Sequence, residues 1–269
     1  MERKALFKKY LSLLEVEKAE PSLALLKKIV KAHLIKVPFE NISKLYYKQQ
    51  GKNYFPELPQ YLDDIDMHNF GGTCYANNYY LYLLLEHLGF DIKLCGADMR
   101  QPDVHVISMV DINRREFVVD CGYAAPFLSP LPADLNEDYC INFGNEKYII
   151  RPRDESGRIK VEQYSDDKLQ HWYAANTQPR EIDDFSKVIA DSYSNDAVFM
   201  NAIRITKFSE SGSFVLKNLL YTETAGSESA TKKLSRDELP DFVSEKFDMP
   251  ANLVREAVAF VKELKDIYD

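Results

Sequence analysis

Apolar side chains recur every three or four residues along residues 4–17, 22–36 and 75–87, which predicts three amphipathic helices. Ser22 can cap the second of these helices, and Gly89 is a natural stop for the third. The first part of the chain is therefore predicted to be mainly helical.

Two stretches between these helices lack a helical period. Pro38 disfavours helix at the residue before it, so a loop holding Pro38–Asn41 is expected. Residues 45–70 are rich in Tyr, Pro, Asp and Asn and are expected to be irregular. The pair Gly71-Gly72 then predicts a sharp turn immediately before the third helix.

After Gly89 the apolar positions alternate with a period of two, which predicts strands. These strands are expected at residues 91–99, 104–112, 116–121, 139–143, 147–151, 158–164, 197–206 and 213–223. Asn113-Arg114 stands between the second and third strands and suits a hairpin turn. A short helix is expected near residues 182–190, whereas the stretch around His171 is expected to be irregular.

Helical spacing returns at residues 235–247 and 250–267. The serine- and threonine-rich stretch 222–231 is expected to be a linker or a mobile loop. The order of helices, antiparallel strands and a last strand–helix segment is typical of the α+β class.

Composition and charge exclude several classes of protein. The chain has 269 residues, with 34 Lys and Arg against 42 Asp and Glu, and a net charge of −8. Such an acidic chain does not favour nucleic-acid binding, and apolar runs such as Leu81–Leu85 are far shorter than the ~20 residues of a membrane span. The charged first residues lack the apolar core of a secretory signal, so a cytoplasmic location with reduced cysteines is expected. No cysteine has zinc-ligand spacing, so no metal is expected.

Cys74 is the first candidate for chemistry. It follows Gly71-Gly72-Thr73 and precedes a helical run, so it stands at or near a helix N-terminus, where partial positive charge favours a thiolate. The glycines leave room for a substrate carbonyl, and the N–H groups of the first helical turn can stabilise an oxyanion. Taken alone, a cysteine that begins a helix is more often a small buried apolar residue.

His105 and Asp120 lie on two strands that the predicted hairpin joins. With a turn at Asn113-Arg114, Asp120 falls roughly opposite His105. Asp120 ends an apolar strand, where a buried carboxylate needs a partner. Each residue also has a purely structural interpretation. His105 can be a buried histidine whose ring nitrogens are hydrogen-bonded within the core, and Asp120 can cap a turn. His68, in a polar stretch close to Cys74, is a weaker candidate base.

Together, Cys74, His105 and Asp120 form a candidate Cys–His–Asp triad. His105 would take the thiol proton, and Asp120 would fix the tautomer of the imidazole and support its charged form. The chain order of Cys, His and acid also occurs in papain-like folds. The three residues by themselves therefore allow both a peptidase and an acyltransferase.

The amino-acid sequence around these residues resembles that of the arylamine N-acetyltransferase family. The matching motifs are Val37-Pro38-Phe39-Glu40-Asn41-Ile42, Gly71-Gly72-Thr73-Cys74-Tyr75-Ala76-Asn77-Asn78, Val104-His105-Val106, Val119-Asp120-Cys121-Gly122-Tyr123 with Pro126 beyond, Asp183-Asp184-Phe185 and Asn195-Asp196-Ala197-Val198-Phe199. The resemblance implies a papain-like architecture of three parts. These are a helical bundle at residues 1–90 that carries the nucleophile, an antiparallel β-barrel at 91–205 that carries the His and the Asp, and an α/β lid at 206–269.

The resemblance also implies a reaction and the residues that serve it. Cys74 would take an acetyl group from acetyl-CoA as a thioester in ping-pong kinetics, with no metal, and an arylamine, arylhydrazine or N-hydroxyarylamine would then attack it. Such chemistry is typical of xenobiotic metabolism. The positions matching the acceptor pocket are Phe39, Tyr123 and Phe199, and those matching the loop near the CoA phosphates are Gly122 and Ala124.

The chain departs from the family pattern at three positions. Phe70 precedes the Gly-Gly pair where the family usually has Arg, and Ala76 stands two residues after the nucleophile where it usually has Glu. The family Arg commonly pairs with the glutamate that is Glu40 here, so we expect Glu40 to find another donor or to have a raised pKa. Ala124 replaces a common Gly, so CoA binding is expected to differ.

Two other functions are compatible with the sequence. One is an amide synthase-like acyltransferase that uses a larger acyl donor. The other is a weakly active or inactive protein that binds CoA or aromatic compounds, which the changes at Phe70 and Ala76 suggest. A papain-type peptidase is disfavoured because the motifs follow the acyltransferase pattern.

Overall fold

A computed structural model describes residues 3–264 of the chain. The helices are α1 (Arg3–Leu13), α2 (Leu23–Lys36), α3 (Ile42–Gln49), α4 (Leu58–His68), α5 (Cys74–His87), α6 (Ser186–Asp191), α7 (Leu239–Phe247) and α8 (Ala251–Phe260). The strands are β1 (Phe39–Glu40), β2 (Asp91–Asp98), β3 (His105–Ile112), β4 (Arg115–Val119), β5 (Leu131–Pro132), β6 (Tyr139–Phe143), β7 (Glu146–Ile150), β8 (Ile159–Ser165), β9 (Lys168–Ala175), β10 (Arg204–Phe208), β11 (Gly212–Lys217), β12 (Leu220–Ala225) and β13 (Glu228–Lys233). Short 3₁₀ helices lie at Ile182–Phe185 and Val198–Met200.

The helices α1, α2, α4 and α5 surround one apolar core. Ser22 caps α2 as predicted, because its Oγ accepts a hydrogen bond from the backbone N of Leu25 at 3.2 Å. Gly89 follows α5 with a φ of +91°, a conformation that favours glycine. The predicted helices at 22–36 and 75–87 are thereby confirmed, whereas α1 ends four residues earlier than expected, before the left-handed Glu15.

The prediction of irregular structure for residues 45–70 was wrong, because α3 and α4 occupy most of this region. Tyr61, Leu62 and Ile65 form a helical stripe on α4 that faces the core, and left-handed Asn69 ends the helix. The many polar and aromatic residues of this region hid that narrow apolar stripe.

The predicted loop at Pro38–Asn41 also differs, because it contains β1. This strand of two residues pairs antiparallel with β10, with Phe39 opposite Thr206 and Glu40 opposite Ile205. Such a short strand leaves no periodic pattern in the sequence, and its partner lies far along the chain.

The central sheet has eight antiparallel strands in the order β5-β4-β3-β2-β9-β8-β7-β6 and forms a nearly closed barrel. Asn113 and Arg114 both have positive φ, as the predicted two-residue hairpin between β3 and β4 requires. The region around His171, predicted to be irregular, is instead β9, which pairs with both β8 and β2. Its exposed first half obscured the alternation of buried positions.

The second sheet has the order β1-β10-β11-β12-β13, and α7 and α8 pack against it. The strand predicted at 197–206 is confirmed only from residue 204, and the strand predicted at 213–223 is two strands joined at the left-handed Asn218. The linker predicted at 222–231 is instead the β12–β13 hairpin, because its polar residues pair on an exposed edge.

Helices α7 and α8 fall within the regions predicted at 235–247 and 250–267, although α8 ends at Phe260. Residues 265–267 of that prediction lie outside the described part of the chain. The α+β architecture of helices, barrel and C-terminal sheet with helices is confirmed. The boundaries at residues 90 and 205 stay a prediction. Within residues 3–264, no helix has the length and apolar character needed to cross a membrane.

Candidate active site

Cys74 is the first residue of α5, as the glycine pair before it predicted. Gly72 has a φ of +75° and turns the chain, and Thr73 is extended before the helix begins. The Cys74 side chain is partly buried, and its Sγ lies 3.8 Å from the carbonyl oxygen of Val104. The first N–H groups of a helix have no partner within the helix, so the start of α5 offers free donors at the residue that carries this sulfur.

His105 and Asp120 are in contact inside the protein. Both side chains are buried, and Nε2 of His105 lies 2.9 Å from Oδ2 of Asp120. The register differs by two residues from the prediction, because the pairing of β3 and β4 places Asp120 level with Ile107. Asp120 comes directly after Val119, the last residue of β4 that pairs with β3. Its carboxylate therefore reaches His105 diagonally across the same face of the sheet.

The charge state of this pair follows from its surroundings. Burial lowers the pKa of His105, but the charge and hydrogen bond of Asp120, together with the contact to the Cys74 thiol, raise it to about 10. Burial raises the pKa of Asp120, but His105, Asn78 and the N–H of Gly122 lower it further. Because Asp120 holds Nε2, Nδ1 is the ring nitrogen left to face the thiol.

Asn78 holds the carboxylate in place, a role that the sequence reasoning missed. Its Nδ2 donates to Oδ1 of Asp120 at 2.8 Å and to the carbonyl of Val106 at 2.6 Å, while its Oδ1 accepts from the N–H of Cys121 at 2.8 Å. Asn78 lies four residues after Cys74 and therefore on the same face of α5. That spacing is the signal that points to it.

Gly122 allows the loop after Asp120 to touch the first turn of α5. A Cβ at this position would lie 2.7 Å from Cα of Cys74 and 2.7 Å from Nδ2 of Asn78. Only glycine fits such an approach without a shift of the backbone. Ala124, in the same loop, has a left-handed φ of +60°, a conformation that glycine adopts more easily.

The predicted aromatic residues fall into two groups. The rings of Phe39 and Phe199 pack edge to face, 5.8 Å apart. The ring of Tyr123 lies 5.8 Å from that of His105, and its hydroxyl is 2.8 Å from Nδ1 of His171. The structure thus places Tyr123 beside His105, and it pairs the two phenylalanines with each other.

Glu40 accepts hydrogen bonds from other donors in place of the arginine that the family usually has at the position of Phe70. Its Oε1 accepts from Oγ of Ser43 and from the N–H of Gly72, both at 2.6 Å, and its Oε2 accepts from the N–H of Ser43 at 2.9 Å. Burial raises the pKa of Glu40 although these hydrogen bonds oppose the shift. Phe70 is buried beside Tyr46. Both expected outcomes for Glu40 therefore occur, and it anchors the turn before Cys74.

Lys44 is a buried cation that the sequence reasoning also missed. It is 6% exposed, its Nζ donates to Oγ of Ser192 at 2.6 Å, and it lies 4.2 Å from the centre of the Tyr193 ring. It lines a small cavity together with Gly72 and Thr73, the two residues before Cys74. Burial lowers the pKa of Lys44 to about 8, although the charge of Cys74 raises it.

We expect Lys44→Met to stabilise the protein near pH 7 and to slow alkylation of Cys74. Below pH 8 the buried ammonium is charged in both states, so its desolvation is unfavourable, and Met removes about 1–3 kcal/mol of that cost. The same ammonium favours a nearby thiolate. Chemical unfolding and iodoacetamide kinetics test both effects, with Lys48→Met on the same helix as control. A variant that is less stable and equally reactive would give Lys44 a packing role only.

Sequence and structure comparisons give a consistent result. A model of the N-acetyltransferase family matches residues 22–255. The pineal gland isozyme NAT-3 of arylamine N-acetyltransferase from Gallus gallus is 27% identical over 193 residues, which are 62% of this chain and 64% of that protein. The N-malonyltransferase FDB2 of Fusarium pseudograminearum (strain CS3096) is 27% identical over 151 residues, which are 50% of this chain and 41% of that protein. The chain thus spans less than two thirds of either relative.

Among solved structures, the arylamine N-acetyltransferase from Mycobacterium abscessus superposes with a TM-score of 0.80 at 16% identity. The match covers 94% of both chains. This likeness establishes the fold over nearly the whole length. Within residues 3–264, no three His, Cys, Asp or Glu side chains are grouped so as to hold a metal ion.

Proposed function

Because the chain belongs to the arylamine N-acetyltransferase family, we propose that it transfers an acetyl group from acetyl-CoA to an aromatic amine, hydrazine or N-hydroxyarylamine through a thioester on Cys74. The observation that supports this most is the 2.9 Å contact of His105 with Asp120 beside a thiol at a helix N-terminus. A cysteine in such a site is activated as a nucleophile. This role for the three residues extends the family assignment to a mechanism.

In the first half of the reaction, His105 already holds the proton of the Cys74 thiol, because its pKa is raised to about 10, and the sulfur attacks the carbonyl carbon of acetyl-CoA. The bond from that carbon to the CoA sulfur then breaks, and the CoA thiolate leaves with the proton from His105. In the second half, the amine nitrogen attacks the thioester and passes its proton to His105 as the Cys74 sulfur leaves. One imidazole thus gives its proton to the leaving CoA in the first half and takes the proton of the amine in the second half.

Each tetrahedral intermediate places negative charge on the former carbonyl oxygen. The N–H groups in the first turn of α5 have no partner within the helix, and this turn begins at Cys74 itself. The N–H of Gly122 is already used by Asp120 Oδ1 at 3.0 Å, so it stabilises the carboxylate rather than the oxyanion. The helix start therefore supplies the donors that we assign to the oxyanion.

The proposal predicts an isolable acetyl-enzyme. Incubation with acetyl-CoA alone should add one acetyl group to the peptide that contains Cys74, and aniline should remove it with formation of acetanilide. Intact mass and peptide mapping measure both steps. Cys140, which is exposed, serves as the internal control and should stay unmodified. Absence of the adduct on a thiol shown to be free would contradict the mechanism.

A larger acyl donor is the second candidate, and similarity to a protein named as an N-malonyltransferase favours testing it. The same experiment with malonyl-CoA and with longer acyl thioesters separates the two. An acyl adduct formed from these donors and not from acetyl-CoA would favour the second candidate. Equal slow alkylation of Cys74 and Cys140 by iodoacetamide between about pH 5 and 9 would instead favour an inactive homologue.

A further inference from the structure

Strand β10 places two polar side chains on the side opposite its own apolar core. Ile203 and Ile205 are buried in the cluster formed with α7 and α8. Because successive side chains of a strand alternate between faces, Arg204 and Thr206 point the other way. They are nevertheless buried, with exposures of 8% for Arg204 and 1% for Thr206.

Each of these side chains has a buried polar atom without a partner among the residues that the structure describes. Within residues 3–264, Nη1 of Arg204 and Oγ1 of Thr206 are buried without a hydrogen-bond partner, and Arg204 forms no ion pair with any Asp or Glu there. An unpaired buried guanidinium is costly, and so is an unsatisfied hydroxyl beside it. Two such groups at alternate positions of one strand form a preorganised set of donors.

Strand β10 lies beside the strand that holds the turn before Cys74, because Thr206 is opposite Phe39 in β1 and the N–H of Gly72 donates to Glu40 of β1 at 2.6 Å. Burial lowers the pKa of His171 to about 4, and the charges of His105, Arg100 and Arg204 lower it in the same direction. The backbone N–H of Arg204 donates to Oδ1 of Asn41, the residue after β1, at 2.8 Å. A chain of contacts leads from Nδ1 of His171 to the hydroxyl of Tyr123 at 2.8 Å, and from the Tyr123 ring to the His105 ring at 5.8 Å.

We propose that Arg204 and Thr206 bind a carboxylate group of a substrate that reacts at Cys74. The inference rests on the proposed function and adds a substrate class to it. A guanidinium binds a planar carboxylate through two parallel hydrogen bonds, and the hydroxyl of Thr206 can supply a third. The near-complete burial of both residues suits a flat carboxylate better than a bulky, strongly hydrated phosphate of CoA. The carboxylate belongs either to the aromatic acceptor or to the acyl group.

Selectivity measurements with Arg204→Met and Thr206→Val test the proposal and identify the source. One arm compares 4-aminobenzoate with its neutral ethyl ester as acceptors for acetyl-CoA, and the other compares malonyl-CoA with acetyl-CoA as donors to aniline. In one arm, the ratio of kcat/KM for the acid to that for the neutral partner should fall about 10-fold or more in Arg204→Met. Thr206→Val should lower the same ratio by a smaller factor. The arm that responds identifies the acceptor or the acyl group as the carrier.

The matched control is Lys207→Met, which removes a positive charge from the other face of the same strand. Lys207 is partly exposed and pairs with Asp248, so its loss should leave both ratios unchanged. If Arg204→Met and Thr206→Val lower kcat/KM for acids and neutral partners equally, the site binds no substrate carboxylate and the proposal is wrong. An equal rise of KM for all CoA donors would likewise overturn it in favour of a phosphate contact.

A binding measurement separates this proposal from the proposed function. Titration calorimetry with benzoate and with malonate, in the absence of CoA, requires no turnover. If the enzyme forms no acetyl-enzyme but Arg204→Met loses binding of one of these anions, the carboxylate site stands and the transfer mechanism fails. If the enzyme acetylates amines but binds both anions as strongly after Arg204→Met and Thr206→Val, or binds neither anion in the wild type, the carboxylate site fails.

Discussion

Cys74→Ser is expected to lower acetyl transfer by about 10⁴- to 10⁶-fold, the range seen when a nucleophile of a catalytic triad is removed. A serine hydroxyl at this position holds its proton far more tightly than a thiol, so His105 cannot generate the anion in useful amount. The substitution keeps the shape of the side chain, and the partly buried position can accept it. Steady-state kinetics with acetyl-CoA and aniline measure the loss.

Cys140→Ser is the matched control for this prediction. Cys140 is exposed on β6, and its replacement removes a thiol without touching the candidate site. It should retain the wild-type rate and the acetyl adduct. If Cys74→Ser kept substantial transfer while circular dichroism showed it folded, the thioester mechanism would have to be abandoned.

Asp120→Asn is expected to lower kcat by about 10²- to 10⁴-fold with little change in the KM for acetyl-CoA. The asparagine Oδ1 can still accept from Asn78 and from the N–H of Gly122, so the loop should keep its place. Its amide nitrogen, however, would face Nε2 of His105, where the carboxylate oxygen now lies at 2.9 Å. A donor there favours the tautomer with the proton on Nδ1, which cannot take the thiol proton.

The same variant should change the dependence of stability on pH. The pKa of His105 is raised from an ordinary 6.5 to about 10, so the stability it contributes is complete below pH 6.5 and is lost as the pH rises through 10. The pKa of Asp120 is lowered, so its contribution is present above about pH 4 and is lost as the pH falls. The loss of unfolding free energy in Asp120→Asn should therefore be largest between about pH 4 and 6.5.

Urea unfolding of the wild type and Asp120→Asn at pH values from about 5 to 9.5 measures this difference. Asn145→Asp, at an exposed turn, provides a control in which a charge is added outside the site. A stability difference that stays constant across this range would show that the imidazole is not charged in the folded protein. The kinetic and thermodynamic tests are independent, because the first reports on the tautomer and the second on the charge.

Much of the fold follows from local patterns in the sequence. The helices at 22–36 and 75–87 and the hairpin at Asn113-Arg114 depend on caps, apolar spacing and turn residues, all of which act over a few residues. The errors share another cause. The strand β1 exists only because β10 lies beside it, and β9 is recognisable only once β2 and β8 are in place. Such pairing depends on tertiary contact.

In the candidate site, too, some residues could be predicted from local sequence and others only from tertiary contacts. Cys74, His105 and Asp120 stand out by residue type and position. The structure brings His105 and Asp120 into contact, although the register was off by two residues, and it places the Cys74 sulfur 3.8 Å from the carbonyl oxygen of Val104, the residue before His105. The spacing of Asn78 from Cys74 places it on the same face of α5, but only its contacts show that it holds Asp120. Lys44 has no such signal, because a lysine in a polar segment is usually solvated, and only its burial identifies it as part of the site.

The short strand β1 makes completion of the site a late event in biosynthesis. Its backbone partners, Thr206 and Ile205, follow it by more than half of the chain, and Glu40 in the same strand accepts a hydrogen bond from Gly72 in the turn before Cys74. A growing chain on the ribosome therefore synthesises helices α1 to α6 and barrel strands β2 to β9 before β1 can pair with β10 beside this turn. Nascent chains released before β10 should carry a reactive cysteine that is not yet held for transfer.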